Sequence, residues 1–313
     1  MLHRPFDLRQ FLVRPATRAL AFYLRHGPSL RLRYRLWRDV AQRRINWRGL
    51  QLLSRTRFGT LMLCRSDDAV QSRILYFGVW EPHVSAVIAS RLGPGDLFVD
   101  VGANVGYYSL LAAAHGAEVV AIEASPSIHA DLEANIARNP RLTSRIRTCH
   151  AAVSDHSGEL IIYRARNDNL GASTTLAERA LQGEMTAEAR VPASRLADLV
   201  GLEERSRTRL VKIDIEGGEY PVLRDILTHR KDWPAAMEIV VEVSADALAA
   251  HGLTPDSLLQ RIRQAGYRTL RIRNSYDMSD YLDRPSPVPP QEIDRWPPGE
   301  RLCDLLLSPR ELS

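Results

Sequence analysis

Residues 96–109, DLFVDVGANVGYYS, leave few folds open to the chain. The apolar run from Leu97 to Val101 is long enough for a short buried strand. The run carries an acid, Asp100, next to its end, and a loop of small residues and then a helical pattern through Ala114 follow it. Strand, glycine loop and helix in that order open a nucleotide-type α/β site. Gly102 and Gly106 let the main chain approach a ligand closely, and the helix start aims free N–H groups at it. Their spacing is G-x-x-x-G, so the loop is not the dinucleotide fingerprint. No Gly-Lys-Ser/Thr follows, so it is not a P-loop either.

The acid at the strand end narrows the ligand. A carboxylate at Asp100 repels a phosphate but suits a cation or a hydroxyl-rich molecule. S-adenosylmethionine carries a sulfonium, an ammonium and a ribose, and fits such a loop. A second buried strand, 117–122, ends in Glu123, which lies 23 residues beyond Asp100. An acid there is placed to accept hydrogen bonds from ribose hydroxyls, the alternative being a solvated strand-end glutamate.

Around this centre the pattern predicts alternating elements. Residues 50–54 and 61–64, flanking Phe58-Gly59, read as a hairpin capping the core, and 74–77 as a further strand. A helix over 82–92 ends at Gly93-Pro94-Gly95. Beyond Glu123 come a helix opened by Ser125, a third strand at 146–153, and strands at 159–163 and 188–191 around a Gly/Asn/Thr-rich stretch, 167–175. A helix at 193–202 leads to a fourth strand, 210–216, with Gly217-Gly218-Glu219 as its turn. Then follow a helix at 219–229, a fifth strand at 239–243, a helix at 255–266 and last strands at 269–272 and 302–307. Residues 274–298 read as a Pro-rich loop.

Length allows one large domain plus an extension, and 45% apolar with 25% charged residues is soluble globular composition. Cys64, Cys149 and Cys303 are odd in number and isolated, which argues for a reducing compartment and against disulfides or a zinc cluster. Charge is uneven. Residues 1–57 hold fourteen arginines against Asp7 and Asp39, a net +12, so the rest of the +5 chain carries −7. The expected division is a basic, partly helical arm at 1–49, an acidic body at 50–308 and a tail at 309–313. The arm suits an anionic membrane surface, an acidic partner or the body itself, or nucleic acid. No apolar run approaches the roughly 20 residues that span a bilayer, and no secretory signal pattern is present.

These motifs together resemble the FkbM-family methyltransferases. The likeness rests on DVGANVGYYS at 100–109, EASP at 123–126, AVSD at 152–155 and LVKIDIEGGE at 210–219, with Trp80-Glu81-Pro82 and Leu305-Leu306-Leu307 at the two ends. It covers about residues 50–308 and omits the arm. One departure is Ala124, where the family often has proline, a change affecting loop stiffness more than ribose contact. The resemblance implies a class I methyltransferase (Rossmann-like) α/β fold, S-adenosylmethionine as cofactor, and transfer to a hydroxyl oxygen of a sugar, glycan or natural product. It assigns Asp100, Gly102, Asn104 and Gly106 to the methionine end of the cofactor pocket and Glu123 to the ribose. Ala152 and Asp155 border the adenine, and Glu81 joins the same cofactor set.

Catalysis needs an aligned acceptor oxygen and a group to help remove its proton. Lys212, Asp214, Glu216, Glu219 and Glu242, where strands four and five end, are the candidates. Lys212 and Glu242 sit among branched aliphatics, so a buried ion pair between them is expected. The histidines are scattered, and no spacing compels a metal. The expected protein is a cytoplasmic O-methyltransferase, with peripheral attachment to the inner membrane face through residues 1–49 as a further expectation. A non-catalytic binding module on the same fold is the alternative. Nucleic-acid methylation is disfavoured by the acidic body and the lack of an RNA-binding motif.

Overall fold

The computed structural model describes residues 8–164, 185–274, 276–283 and 286–309, with side chains from Val13 onward. The Gly/Asn/Thr-rich stretch at 167–175 and nearly all of the expected tail lie outside the described residues. The chain divides into two compact units, one built on residues 1–80 with 275–286, the other on most of the remainder.

The first unit contains α1 (Leu8–His26), α2 (Leu30–Leu36), a π-helical stretch Trp37–Ile45, the antiparallel hairpin β1 (Gln51–Arg55) and β2 (Leu61–Arg65), and α3 (Ala69–Phe77). A short helix, Met278–Leu282, completes it. Thr17, Leu20, Ala21 and Leu24 form a buried stripe at helical spacing along α1. Trp37 packs edge-on against Tyr76 and tilted against Phe77, which in turn meets Tyr281. From Leu8 onward the arm is folded, and it belongs to a unit that runs on to Trp80. Residues 74–77, expected as a strand, are the last turn of α3. Asp68 caps the helix by accepting the Gln71 N–H at 2.7 Å, and Gly78, at φ 71°, ends it. Arg25 seals that end: its guanidinium donates to the carbonyls of Ile74, Leu75 and Tyr76, and to Arg55 O and Ser54 Oγ.

The second unit is a mixed α/β structure around an eight-stranded, mostly parallel sheet. Its strands are β3 (Leu97–Val101), β4 (Glu118–Glu123), β5 (Ile146–His150), β9 (Thr208–Ile213), β10 (Glu238–Ser244), β11 (Tyr267–Ile272), β12 (Gln291–Glu292) and β13 (Leu302–Pro309). They lie in the order β12-β11-β13-β10-β9-β3-β4-β5. The helices are α4 (Pro82–Arg91), α5 (Tyr107–Ala114), α6 (Pro126–Ala137), α7 (Leu196–Leu199), α8 (Leu202–Ser206), α9 (Glu219–Thr228), α10 (Ala245–Ala249) and α11 (Pro255–Gln264). From β3 the chain steps outward through β4 to β5, then returns to the other side of β3 as β9 and moves on to β10. That reversal makes the carboxyl ends of β3 and β9 the topological switch point, where α/β sheets take their ligands.

Two expected elements differ here. The third strand is broken: β5 pairs with β4, whereas β6 (Ala152–Val153) leaves at Ala151 to join a small sheet with β7 (Gly158–Arg164) and β8 (Thr186–Ser194). The helix expected over 193–202 is displaced because β8 continues through Ser194, its backbone held by β6 and β7. What remains is α7 and α8, separated by extended backbone at Val200 and Gly201.

Candidate active site

At the switch point β3 is buried along its whole length. Asp100 Oδ2 accepts the Ser109 hydroxyl at 2.6 Å, while Oδ1 meets no hydrogen-bond donor among the described residues. Burial pushes the Asp100 carboxyl up, against the pull of the Lys212 ammonium. Gly102, at φ +80°, leaves no room for a side chain, since a Cβ would stand 1.9 Å from the Asp214 carbonyl oxygen. At Gly106, φ +90°, a Cβ would meet Leu132 Cδ1 at 2.7 Å. The two missing side chains therefore make room for the end of β9 and for α6 as well as keeping the loop backbone bare.

Glu123 fastens this loop to the next strand. Its Oε2 accepts the N–H of Asn104, which sits in the left-handed region, and its Oε1 accepts the N–H of Ser125, both at 2.9 Å. Burial raises the carboxyl to about 7, opposed by those N–H groups. Each oxygen keeps a lone pair for a ligand hydroxyl. Ala152 is buried in β6. Asp155 lies just beyond it, held below the usual carboxylate range by the His156 imidazole at 2.8 Å and by the Arg224 guanidinium.

Beside the loop the sheet carries a row of acids. Paired residues on adjacent strands share a face, and the register sets Asp100 opposite Lys212, and Glu242 opposite Asp304. Lys212 is 4% exposed. Its ammonium donates to Asp214 Oδ2 at 2.9 Å and lies 4.8 Å from the Tyr108 ring centroid. Burial alone would lower its pKa, but Asp214, Asp100 and Glu81 outweigh burial and raise it. The pair expected between Lys212 and Glu242 is thus replaced by Lys212–Asp214. Register is the reason: Lys212 faces Val240 on β10, and Glu242 stands two residues further on, whereas Asp214 lies two residues along the Lys212 segment itself.

Above this row, Tyr108 donates its hydroxyl to Glu81 Oε2 at 2.5 Å. The Asn274 amide bridges Glu81 Oε1 and Asp304 Oδ2, each at 2.9 Å. Glu81 precedes Pro82 of α4 with a left-handed backbone, φ 39°, a conformation that persists in a non-glycine residue only where surroundings impose it. Burial, with Asp214 next, raises Glu81, and burial, with Glu81 next, raises Asp304 well above the carboxylate range. Burial and then Asp214, Asp304 and Glu81 push Glu242 up to about 10.

Of the expected site residues, Glu81, Asp100, Lys212, Asp214 and Glu242 therefore converge, with Gly102, Asn104 and Glu123 forming the adjoining loop. Glu216 is left-handed at φ 57° beyond the end of β9. Glu219 does something else: its carboxylate accepts the N–H groups of Ile215 and Gly217 and closes the turn. Sequence reasoning missed Tyr108, Asn274 and Asp304. Asp304 had a signal, an acid inside the apolar run 302–307, of the kind that singled out Glu242. Among the described residues no group of three or more His, Cys, Asp or Glu is arranged to hold a metal ion.

A glycine loop at the switch point, an acid closing the second strand and an acid-rich rim at the ends of β9 and β10 define a class I methyltransferase. The match to known sequences makes this specific. The family described as Methyltransferase FkbM domain matches residues 100–269, more than half of the chain. The chain belongs to the FkbM methyltransferase family. It is similar to 31-O-demethyl-FK506 methyltransferase FkbM of Streptomyces tacrolimicus, 29% identical over 202 residues, covering 56% of this chain and 76% of the relative. Among solved structures it is similar to methyltransferase FkbM from Methylobacillus flagellatus, with a TM-score of 0.43 at 15% identity over 94% of this chain and 58% of that one. A SAM-dependent methyltransferase from Agrobacterium tumefaciens also gives 0.43, at 14% identity over 84% of this chain and 71% of that one.

The methyl donor is S-adenosylmethionine, and the donor set suits it. The unpartnered Asp100 Oδ1 matches a cationic group, and the spare lone pairs of Glu123 match ribose hydroxyls.

Proposed function

We propose that this protein transfers a methyl group to a hydroxyl oxygen of a sugar, glycan or natural-product acceptor. The observation that carries the reading is the unlike pair of acids at the adjoining ends of β9 and β10. Asp214 faces the Lys212 ammonium at 2.9 Å, whereas Glu242 is pushed up to about 10 and keeps its proton at neutral pH. A carboxylate bonded to an ammonium and a buried carboxyl that keeps its proton offer a hydrogen-bond acceptor and a donor side by side. When bound, the cofactor supplies an electrophilic methyl group. The protein must hold the acceptor oxygen in line with it and help remove the proton.

In this scheme Asp214 accepts the hydrogen bond of the acceptor hydroxyl, and Glu242, protonated, donates one to a neighbouring oxygen. Glu216 lies at the same rim. Lys212, whose ammonium donates to Asp214, acts as a positioning residue for it. The name of the Streptomyces relative, a 31-O-demethyl-FK506 methyltransferase, supports oxygen as the acceptor. The cytoplasm suits an enzyme whose cysteines are free thiols.

The test is a labelled-methyl transfer assay on extracts of the native organism, with the product identified by mass and its methyl carbon by NMR. A methoxy resonance that disappears with Asp214→Asn, cofactor affinity being retained, is the expected result. A methyl on nitrogen, carbon or nucleic acid would refute the acceptor class. Absence of saturable S-adenosylmethionine binding would favour the non-catalytic module.

A further inference from the structure

The arginines of the N-terminal arm were open to three partners, and the folded first unit separates them. Its buried stripe on α1 is occupied, but the opposite face is not. Arg14, Arg18, Phe22 and His26 recur every four residues along α1 and are all exposed, Phe22 at 68%. On α2, Leu30, Arg31, Leu32 and Arg35 are exposed together. Trp47 is also 68% exposed, with the Arg48 guanidinium 4.8 Å over its ring. Eight large hydrophobic residues are exposed in the described chain, and five of them lie between Phe22 and Leu53. Between Val13 and Leu50 the only acid is Asp39, and Arg38 and Arg43 already engage it.

We infer that this face of the first unit is a docking surface for an anionic lipid bilayer. Exposed aromatic and leucine side chains set among arginines are the pattern of a helix lying in a membrane interface. The apolar groups enter the acyl boundary and the cations stay at the headgroups. Nucleic acid would be served by the arginines and stacking rings, but gains nothing from Leu30 and Leu32. Charge complementarity selects anionic lipid over neutral lipid. Among the described residues no helix is long and apolar enough to cross a membrane, so the attachment is peripheral. The inference does not depend on which acceptor the active site methylates.

Removing the whole arm is a poor test, because Leu24, Arg25 and Trp37 are built into the first unit. Point variants on the exposed face keep the fold. Sedimentation of the full chain with phosphatidylglycerol-containing vesicles should be strong at low salt, weak at high salt and absent with phosphatidylcholine alone. Phe22→Ser with Trp47→Ser should weaken it by about tenfold per residue. Each of Arg14, Arg18, Arg31 and Arg35 changed to Gln should weaken it by about fivefold. Trp47 emission should shift to the blue on anionic vesicles, and Trp47→Phe should abolish the shift. Equal binding to neutral vesicles, no binding at all, or undiminished binding by the folded Phe22/Trp47 variant would overturn the inference. Tighter retention on an RNA oligonucleotide, unaffected by that variant, would overturn it in favour of nucleic acid.

Discussion

Glu242→Gln separates two accounts of the acid cluster, because they assign it opposite signs. If Glu242 were the partner of Lys212, the variant would break a buried ion pair and cost about 3–5 kcal/mol. In the structure Lys212 serves Asp214, and the groups that shift Glu242 most are burial and then Asp214, Asp304, Glu81 and Glu216, all of which raise it. Its carboxyl moves from an ordinary 4.5 to about 10. A folded-state value above the unfolded one gives stability that is fully present below about pH 4.5 and is lost as pH rises toward 10. At pH 8 the wild type lies about 3.5 units above the unfolded value, which at about 1.4 kcal/mol per unit is a ceiling of about 5 kcal/mol.

Glutamine carries no such proton-linked cost, although its amide gives up about 1–2 kcal/mol in imperfect hydrogen bonds. The variant should therefore be up to about 3–4 kcal/mol more stable at pH 8, a rise in Tm of about 7 °C, with the difference shrinking to nearly nothing at pH 5. Lys212 does not confuse the measurement. Its raised value means that its contribution is lost only above its ordinary 10.5, outside the window. Calorimetric melts of both proteins at pH 5, 6.5 and 8 decide the matter. A variant that melts below wild type at pH 8, or a difference independent of pH, would refute the argument.

Other perturbations follow from single contacts. Glu123→Ala strips the acceptor from the Asn104 and Ser125 N–H groups as well as from the ribose, so calorimetric S-adenosylmethionine affinity should fall at least about tenfold; unchanged affinity would make Glu123 purely a loop fastener. Gly102→Ala forces a Cβ to within 1.9 Å of a backbone oxygen and should cost about 3 kcal/mol or more in a urea melt. Gly59→Ala, with a similar φ of +93° and nothing within 4 Å, should cost only about 1 kcal/mol. Equal losses would show that backbone strain alone explains Gly102. Arg25→Met leaves the carbonyls at the end of α3 without their donor and should destabilise the first unit by about 3 kcal/mol, read as the low-temperature shoulder of a melt; a superimposable melt would mean that water replaces the guanidinium.

Gly106 shows how a correct reading can rest on part of the reason. The glycine was legible as a loop residue bare enough for a ligand, yet its Cβ position is also filled by Leu132, 26 residues away. Gly106→Val would therefore disturb helix packing as well as cofactor binding, and it cannot isolate the second. Residues 74–77 failed for another reason. A four-residue apolar run has no period long enough to distinguish strand from helix, and the decisive cues, Asp68 and Gly78, lie outside it.

What the sequence determined by itself was local. The strand, glycine loop and helix at 97–114, the acid closing β4 and the hairpin at 51–65 each follow from backbone sterics and the periodicity of one continuous segment. Only the tertiary structure decided who neutralises whom. Lys212 and Glu242 lie on adjacent strands, as expected, but the parallel register sets Lys212 opposite Val240, and its ammonium goes instead to Asp214, two residues along its own segment. The insertion of antiparallel β13 beside β10 sets Asp304, from the far end of the chain, against Glu242. Asn274 then ties Asp304 to Glu81 across nearly 200 residues. Which of these charges meet across strands depends on distances of a few ångströms between segments whose order and register are settled by the packing of the whole sheet, and no single segment carries that information.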